Sequence, residues 1–342
     1  MRAPLFALAS LAIFFVTGSV RADALEDWLA KNETTCVGST DEAIAAPAIY
    51  DVGGYHYEVR GSVASVTAAA KTGDKGGQIK LGILNAIKDL QPETKENLDQ
   101  FVARFKEAGV SAIVVDGDTA FEESEMADIF GRLGETNLPV LAVIGNSESR
   151  GEYNRGALAA WKTHHNVLNM DFVRRVDLPG LTLVSLPGYY DKRFLHDVGG
   201  CVYKPEDAEA LVTLAKGAKN PVVLVSHGPP KMAGKSAIDF ASNAGNIGDE
   251  AMTKAITQAK IAFGVHGHVL EAGGRGTDLS GKSSVKPGTF AKTLFVNPGP
   301  ANSLPWKMNQ GADSHGMAMV LTIAGGKAKY ELLRAPDRVK KL

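Results

Sequence analysis

The sequence predicts an α/β protein, and three observations carry that prediction. The balance of 44 % apolar and 22 % charged residues over 342 positions is that of an ordinary globular chain. From Ile79 onward, short apolar runs alternate with stretches whose apolar residues recur at helical spacing. The 37 glycines supply tight connections between many short elements. A formal charge of −1 gives no electrostatic footprint for nucleic acid or anionic lipid, so neither is an expected partner. Two cysteines exclude a disulfide scaffold and any zinc cluster built on thiolates.

The chain opens with one positive charge in Met1-Arg2-Ala3-Pro4, then an apolar run from Leu5 to Val16, then small residues at Val20 and Ala22. That pattern reads as a secretory signal peptide over 1–22, cleaved after Ala22. The run is short for a bilayer span, and no second long apolar run follows. The mature chain is therefore expected without a membrane span, in the periplasm or outside the cell. In such a compartment Cys36 and Cys201 either bridge or stay as separate thiols, which sequence alone does not decide.

Residues 23–78 read as an irregular N-terminal extension with one alternating strand, Tyr55–Val66, and a turn-rich joint over Lys71–Gly77. Residues 79–342 read as a single domain. Lys80–Leu84, Ser111–Val115 and Val140–Ile144 are buried strands, with helices over Thr94–Ala108 and Glu123–Arg132 between them. Leu98, Phe101, Val102 and Phe105 mark the buried face of the first helix. Strands follow at Thr182–Ser185, Val222–Ser226, Ile261–His266 and Thr293–Asn297, with helices near Glu206–Ala215 and Glu250–Lys260. Met317–Ile323 and Lys327–Leu333 flank Gly325-Gly326 as a hairpin.

Ligands of α/β proteins gather where strands end. Reading past each strand gives Ala86-Ile87-Lys88, Asp116-Gly117-Asp118, Gly145-Asn146-Ser147-Glu148, Ser226-His227-Gly228 and His266-Gly267-His268. Asp118, Asn146, His227 and a histidine of the last group form a set of oxygen and nitrogen donors suited to a divalent metal.

In this order, across Lys80–Asn302, the motifs resemble those of the calcineurin-like metallophosphoesterases. The pattern of that family is D-x-H, G-D, G-N-H-[DE], a lone H and G-H-x-H. The resemblance implies a four-layer α/β/β/α sandwich of two mixed sheets, and a pair of metals that activate water against a phosphoester. Asp118 matches the bridging carboxylate, Asn146 the asparagine of G-N-H, and His227 the lone histidine. The member is degenerate: the D-x-H slot falls on Ala86 and Lys88, and the histidine of G-N-H is Ser147. In the favoured register His268 is the first histidine of G-H-x-H and Leu270 replaces the second; in the other register His266 and His268 are the pair. One metal position then keeps all four ligands, Asp118, Asn146, His227 and His268. The other retains Asp118 alone.

The expected cofactor is one divalent ion, Mn, Fe or Zn, with Lys88 either balancing Asp118 or contacting a phosphoryl oxygen, or else an exposed loop residue. The expected function is an exported phosphoester hydrolase acting on a small phosphoester. The alternative is a non-catalytic relative that binds a metal, a phosphate-containing ligand or a protein partner. Gly145-Asn146-Ser147-Glu148-Ser149 also faintly matches a nucleophile elbow, which leaves a serine hydrolase using Ser147 as a lesser alternative. Asp116 reads either as a second carboxylate of the site or, by preference, as a solvated residue at a strand end. The string Gly276–Ser283 matches G-x4-G-K-S, but lacks the strand and helix that a phosphate loop needs, and reads as an exposed loop.

Overall fold

The computed structural model describes residues 22–41, 44, 46–68 and 77–336. The expected signal peptide, apart from Ala22, and the joint at Lys71–Gly77, apart from Gly77, lie outside the described residues. Helix α1 (Ala22–Lys31) precedes a three-stranded meander, β1 (Ala48–Val52), β2 (Tyr55–Arg60) and β3 (Val63–Ala68). The stretch expected as one strand is thus a hairpin. Gly61 breaks it, adopting a left-handed φ of 68° between β2 and β3.

The alternating part begins with β4 (Gln78–Leu84), α2 (Pro92–Ala108), β5 (Ala112–Asp116), α3 (Glu123–Gly134), β6 (Val140–Val143), α4 (Arg150–Thr163) and β7 (Val167–Asn169). Strands β8 (Arg175–Leu178), β9 (Leu181–Ser185) and β10 (Val222–Val225) follow, with α5 (Pro205–Ala215) before β10. A short ribbon, β11 (Phe240–Ala241) and β12 (Gly245–Asn246), leads to α6 (Glu250–Ala259) and β13 (Phe263–Val265). Then come β14 (Arg275–Thr277), β15 (Ser284–Val285) and β16 (Leu294–Asn297). A second ribbon, β17 (Trp306–Lys307) and β18 (Asp313–Ser314), precedes the closing hairpin β19 (Met317–Ala324) and β20 (Lys327–Arg334).

These strands form two large mixed sheets. One runs β20-β19-β4-β5-β6-β7, and the other β1-β2-β3-β8-β9-β10-β13-β16-β14-β15. Alternation along each strand divides its side chains between two cores. Ala112 and Val114 of β5 meet Val223 and Val225 of β10 between the sheets. Ile113 and Val115 face outward onto α2, α3 and α4, where Phe101, Phe105, Ile129 and Phe130 cover them. On the far side Leu224 packs with Leu211 of α5 and Ile256 of α6. The result is the expected α/β/β/α sandwich, generated by a period of two in the strands and 3.6 in the helices.

Local signals account for the helix ends. Pro92 sits in the first turn of α2, and Gly109 closes it in the left-handed region. Asp249 caps α6 by accepting from the backbone N–H groups of Ala251 and Met252 at 2.9 and 3.2 Å. Helix α4 escapes the pattern reading because Gly151, Asn154 and Gly156 dilute its periodicity. Cys36 and Cys201 are joined, with Cα atoms 5.0 Å apart, fastening the N-terminal segment to the loop before α5. The Gly276–Ser283 string spans the turn from β14 to β15, with no helix after it. No helix among the described residues is long and apolar enough to cross a membrane.

Candidate metal centre

Strands β4, β5 and β6 run parallel, as do β9, β10, β13 and β16. The loops leaving these strands bring Asp118, Asn146, His227 and His268 together. Asn146 is the hub. Its Nδ2 donates to the carbonyl of Phe194 at 2.6 Å, which fixes the amide and turns Oδ1 inward. That oxygen lies 2.8 Å from His227 Nε2 and 2.8 Å from His268 Nδ1. His227 Nε2 is also 3.3 Å from Oδ1 of Asp118.

The protonation of His227 follows from its other nitrogen. Nδ1 donates to the backbone carbonyl of Asp116 at 2.8 Å. Burial lowers the imidazole's affinity for a second proton, and because Nδ1 already donates, the lone pair of the neutral ring lies on Nε2. This lone pair points at the oxygens of Asn146 and Asp118, so three acceptors face one another. Acceptors crowded in this way repel unless a cation lies between them, and a histidine oriented by a backbone carbonyl is the usual arrangement behind a metal ligand. The donor chemistry therefore fits a divalent ion. Among the described residues, no group of three or more His, Cys, Asp or Glu side chains is placed to hold a metal ion. The Asn146 carbonyl links the two imidazoles, and the carboxylate of Asp118 joins them through His227 Nε2.

Two glycines permit the crowding. A Cβ on Gly117, whose φ is +79°, would come within 2.6 Å of His227 Nδ1. One on Gly145 would lie 2.4 Å from the Asp118 nitrogen. The two loops can meet only because neither residue has a side chain.

Lys88 is not an exposed loop residue. Its Nζ is 2.8 Å from Asp118 Oδ2 and 3.4 Å from Ser147 Oγ. Ala86, Lys88 and Asp118 all adopt positive φ, at 49°, 63° and 54°. Left-handed backbone costs a non-glycine residue about 1–2 kcal/mol. Two crossed hydrogen bonds hold it, from Ala86 N to Gly117 O and from Lys88 N to Asp118 O, both 3.1 Å. Burial pushes the Asp118 carboxyl up, but the His227 ring when protonated and the ammonium of Lys88 overcome it and keep the group well below the usual carboxylate range.

The last motif separates its two histidines. His268 lies in the centre, with its ring 4.0 Å from that of Tyr189. His266 turns away. Its Nδ1 donates to the carbonyls of Ser226 and Gly228 at 3.1 and 3.0 Å, and its ring stacks on Phe295. Leu270 is buried in the short 3-10 turn Leu270–Ala272 that follows. Asp116, expected at the solvent, is instead wholly enclosed, because the next strand and loop close over the end of β5. Burial and the neighbouring Asp118 raise its carboxyl well above the usual range. Glu148 points inward too, accepting from Thr119 N at 2.5 Å and Gly145 N at 3.1 Å. Burial, then Asp118, push it up to about 8.

Two contributors escape the motif reading. Phe194 orients Asn146, and His196 places Nδ1 3.3 Å from Ser147 Oγ. Both come from the connection between β9 and α5. Its length was the available signal, since extended loops over the ends of α/β strands are usually functional.

No family model matches the chain, and no curated protein does. Among solved structures it is similar to a dimetal phosphatase from Danio rerio at 13 % identity, TM-score 0.44, over 75 % of this chain and 98 % of that one. It is similar to GAP50, the anchor in the inner membrane complex of Plasmodium, at 11 % identity, TM-score 0.47, over 75 % and 84 %. It also resembles the purple acid phosphatase PPD1 of yellow lupin (Lupinus luteus) seeds at 10 % identity, TM-score 0.47, over 81 % of this chain and 56 % of that one.

Proposed function

We propose that the chain is an exported relative of the calcineurin-like metallophosphoesterases that holds one divalent cation and hydrolyses a small phosphoester. The supporting observation is the meeting of His227 Nε2 with Asn146 Oδ1 at 2.8 Å and Asp118 Oδ1 at 3.3 Å. Asp118, Asn146, His227 and His268 would be the ligands. A divalent cation in that position supplies positive charge against the phosphoryl oxygens and their transition state.

The chain's own residues do the rest. Asp116 O fixes the tautomer of His227, and Phe194 O fixes the face of Asn146. Lys88 replaces part of the charge of a second metal: it neutralises Asp118 and presents its remaining protons toward Ser147 and the cleft. Ser147 is a poor acid, so departure of the leaving group receives little help. This favours esters whose leaving group is already stable as an anion.

One observation favours a second reading. The ion pair between Lys88 and Asp118 satisfies the carboxylate without any second metal, as a relative that binds ligand without turnover would require. Metal analysis of the purified protein with a panel of phosphoesters separates the two. Bound metal with turnover that disappears in Asp118→Ala supports the hydrolase. Bound metal without turnover on any ester overturns it in favour of the binding protein.

A further inference from the structure

We propose that Lys88, Ser147 and His196 form a cradle for a phosphoryl oxyanion beside the metal centre, with His196 touching the ligand from the solvent side. The inference rests on the phosphoester reading for its ligand class. Its geometry is independent of that reading.

The three side chains come from three separate loops, after β4, β6 and β9. They meet at Ser147 Oγ, which is 3.4 Å from Lys88 Nζ and 3.3 Å from His196 Nδ1. Their exposure is graded. Ser147 is buried, Lys88 keeps 15 % of its side chain accessible, and His196 is exposed. The hydrogen bonds have one consistent direction. Lys88 donates to Asp118 and to Ser147, so the serine proton is free to go to His196 Nδ1. The imidazole then presents its Nε2–H outward. An oxyanion approaching from solvent on the His196 side meets donors of two kinds, an imidazole N–H and an ammonium, with the hydroxyl between them.

His196 is also held in place, unlike a histidine on a free loop. Its backbone N–H donates to Asn146 O at 3.0 Å. A few residues on, Gly199 O accepts from Arg150 N and Gly200 O from the Arg150 guanidinium, both at 3.1 Å. Cys201 then carries the disulfide to Cys36. An exposed imidazole is thereby fixed against the loop that carries Asn146. Preorganisation for an anion explains it.

The test is calorimetric titration of inorganic phosphate into the purified protein, with and without Mn²⁺, alongside His196→Ala, Ser147→Ala and a surface control, His56→Gln. Metal content and thermal unfolding are measured on each. The cradle predicts phosphate binding roughly tenfold to a hundredfold weaker in His196→Ala, a smaller loss in Ser147→Ala, and unchanged affinity in His56→Gln. Metal content stays at the wild-type level throughout. Wild-type affinity in His196→Ala overturns the cradle, as does a parent protein that binds no phosphate in either state. A chain that takes up no metal and hydrolyses no ester, yet loses phosphate affinity in His196→Ala, keeps the cradle and discards the hydrolase. Turnover with phosphate affinity unmoved by His196→Ala does the reverse.

Discussion

The ammonium of Lys88 lies 2.8 Å from Oδ2 of Asp118, with only 15 % and 4 % of the two side chains accessible. A pair so enclosed is tightly interdependent, because removing one partner strands the other in a poor solvent for charge. The metal-free Lys88→Met protein is expected to lose about 3–5 kcal/mol of unfolding free energy. Adding Asp118→Leu to it recovers part of that loss. Urea titration of the two single variants and the double variant reads the coupling. Additive losses would mean that the pair contributes nothing as a pair.

The pH dependence of the metal-free chain follows from groups with opposite signs. Burial holds His268 down to about 3 and His266 down to about 4, against an ordinary value of 6.5. Below 6.5 the unfolded chain takes up protons that the folded one refuses, so stability falls as pH drops from 6.5 toward 3. Glu148 acts the other way. Its folded value of about 8 exceeds its ordinary 4.5, so the folded state keeps a proton that the unfolded one releases. Stability is then lost as pH rises through 8. Asp116, also raised by burial, adds to that loss. Unfolding free energies should therefore fall from pH 6.5 to 8, and a profile that keeps rising to pH 9 would contradict the burial of Glu148 as an acid.

In the proposed hydrolase Ser147 is the side chain beside the metal loop nearest a leaving group, and a serine hydroxyl is far too weak an acid to protonate a leaving alkoxide. General acid catalysis is worth roughly 10²–10⁴-fold where it operates. Turnover of p-nitrophenyl phosphate is expected to exceed that of an alkyl phosphate by a factor of this order. Equal rates on both would show that another group supplies the proton.

The disulfide between Cys36 and Cys201 closes a large loop, with a sequence separation of 165, and it anchors the segment that carries Phe194 and His196. Replacing both cysteines by serine should cost about 2–5 kcal/mol. Phosphate affinity should also decline, as the β9–α5 loop loosens over the site. Unchanged stability in the double variant would mean that this segment is held by its backbone contacts alone.

Much of this architecture was legible as pattern. The alternation of strand and helix from β4 onward, and the two-faced burial of each strand, follow from apolar spacing, which is a local property. The donors at the strand ends were legible for the same reason, since a strand's end is where a polar residue can face a cleft. What escaped depends on distant partners. Helix α4 is stabilised by packing against α3 rather than by its own periodicity. Asp116 looked like a solvent-facing carboxylate, because nothing in its neighbourhood shows that loops from β6 and β10 will cover it. His196 has no motif at all. Its role arises because the chain crosses back over Asn146, through a hydrogen bond between residues far apart in sequence.

The proposed centre holds one metal with Asn146 among its ligands, and Lys88 neutralises Asp118 beside it. Metal content of the purified protein, together with Mn²⁺ titration of the metal-free form, tests it most directly. One divalent ion per chain is expected, lost in Asn146→Ala and in His268→Ala and retained in His266→Asn. Two ions per chain, or none under any loading condition, would contradict it.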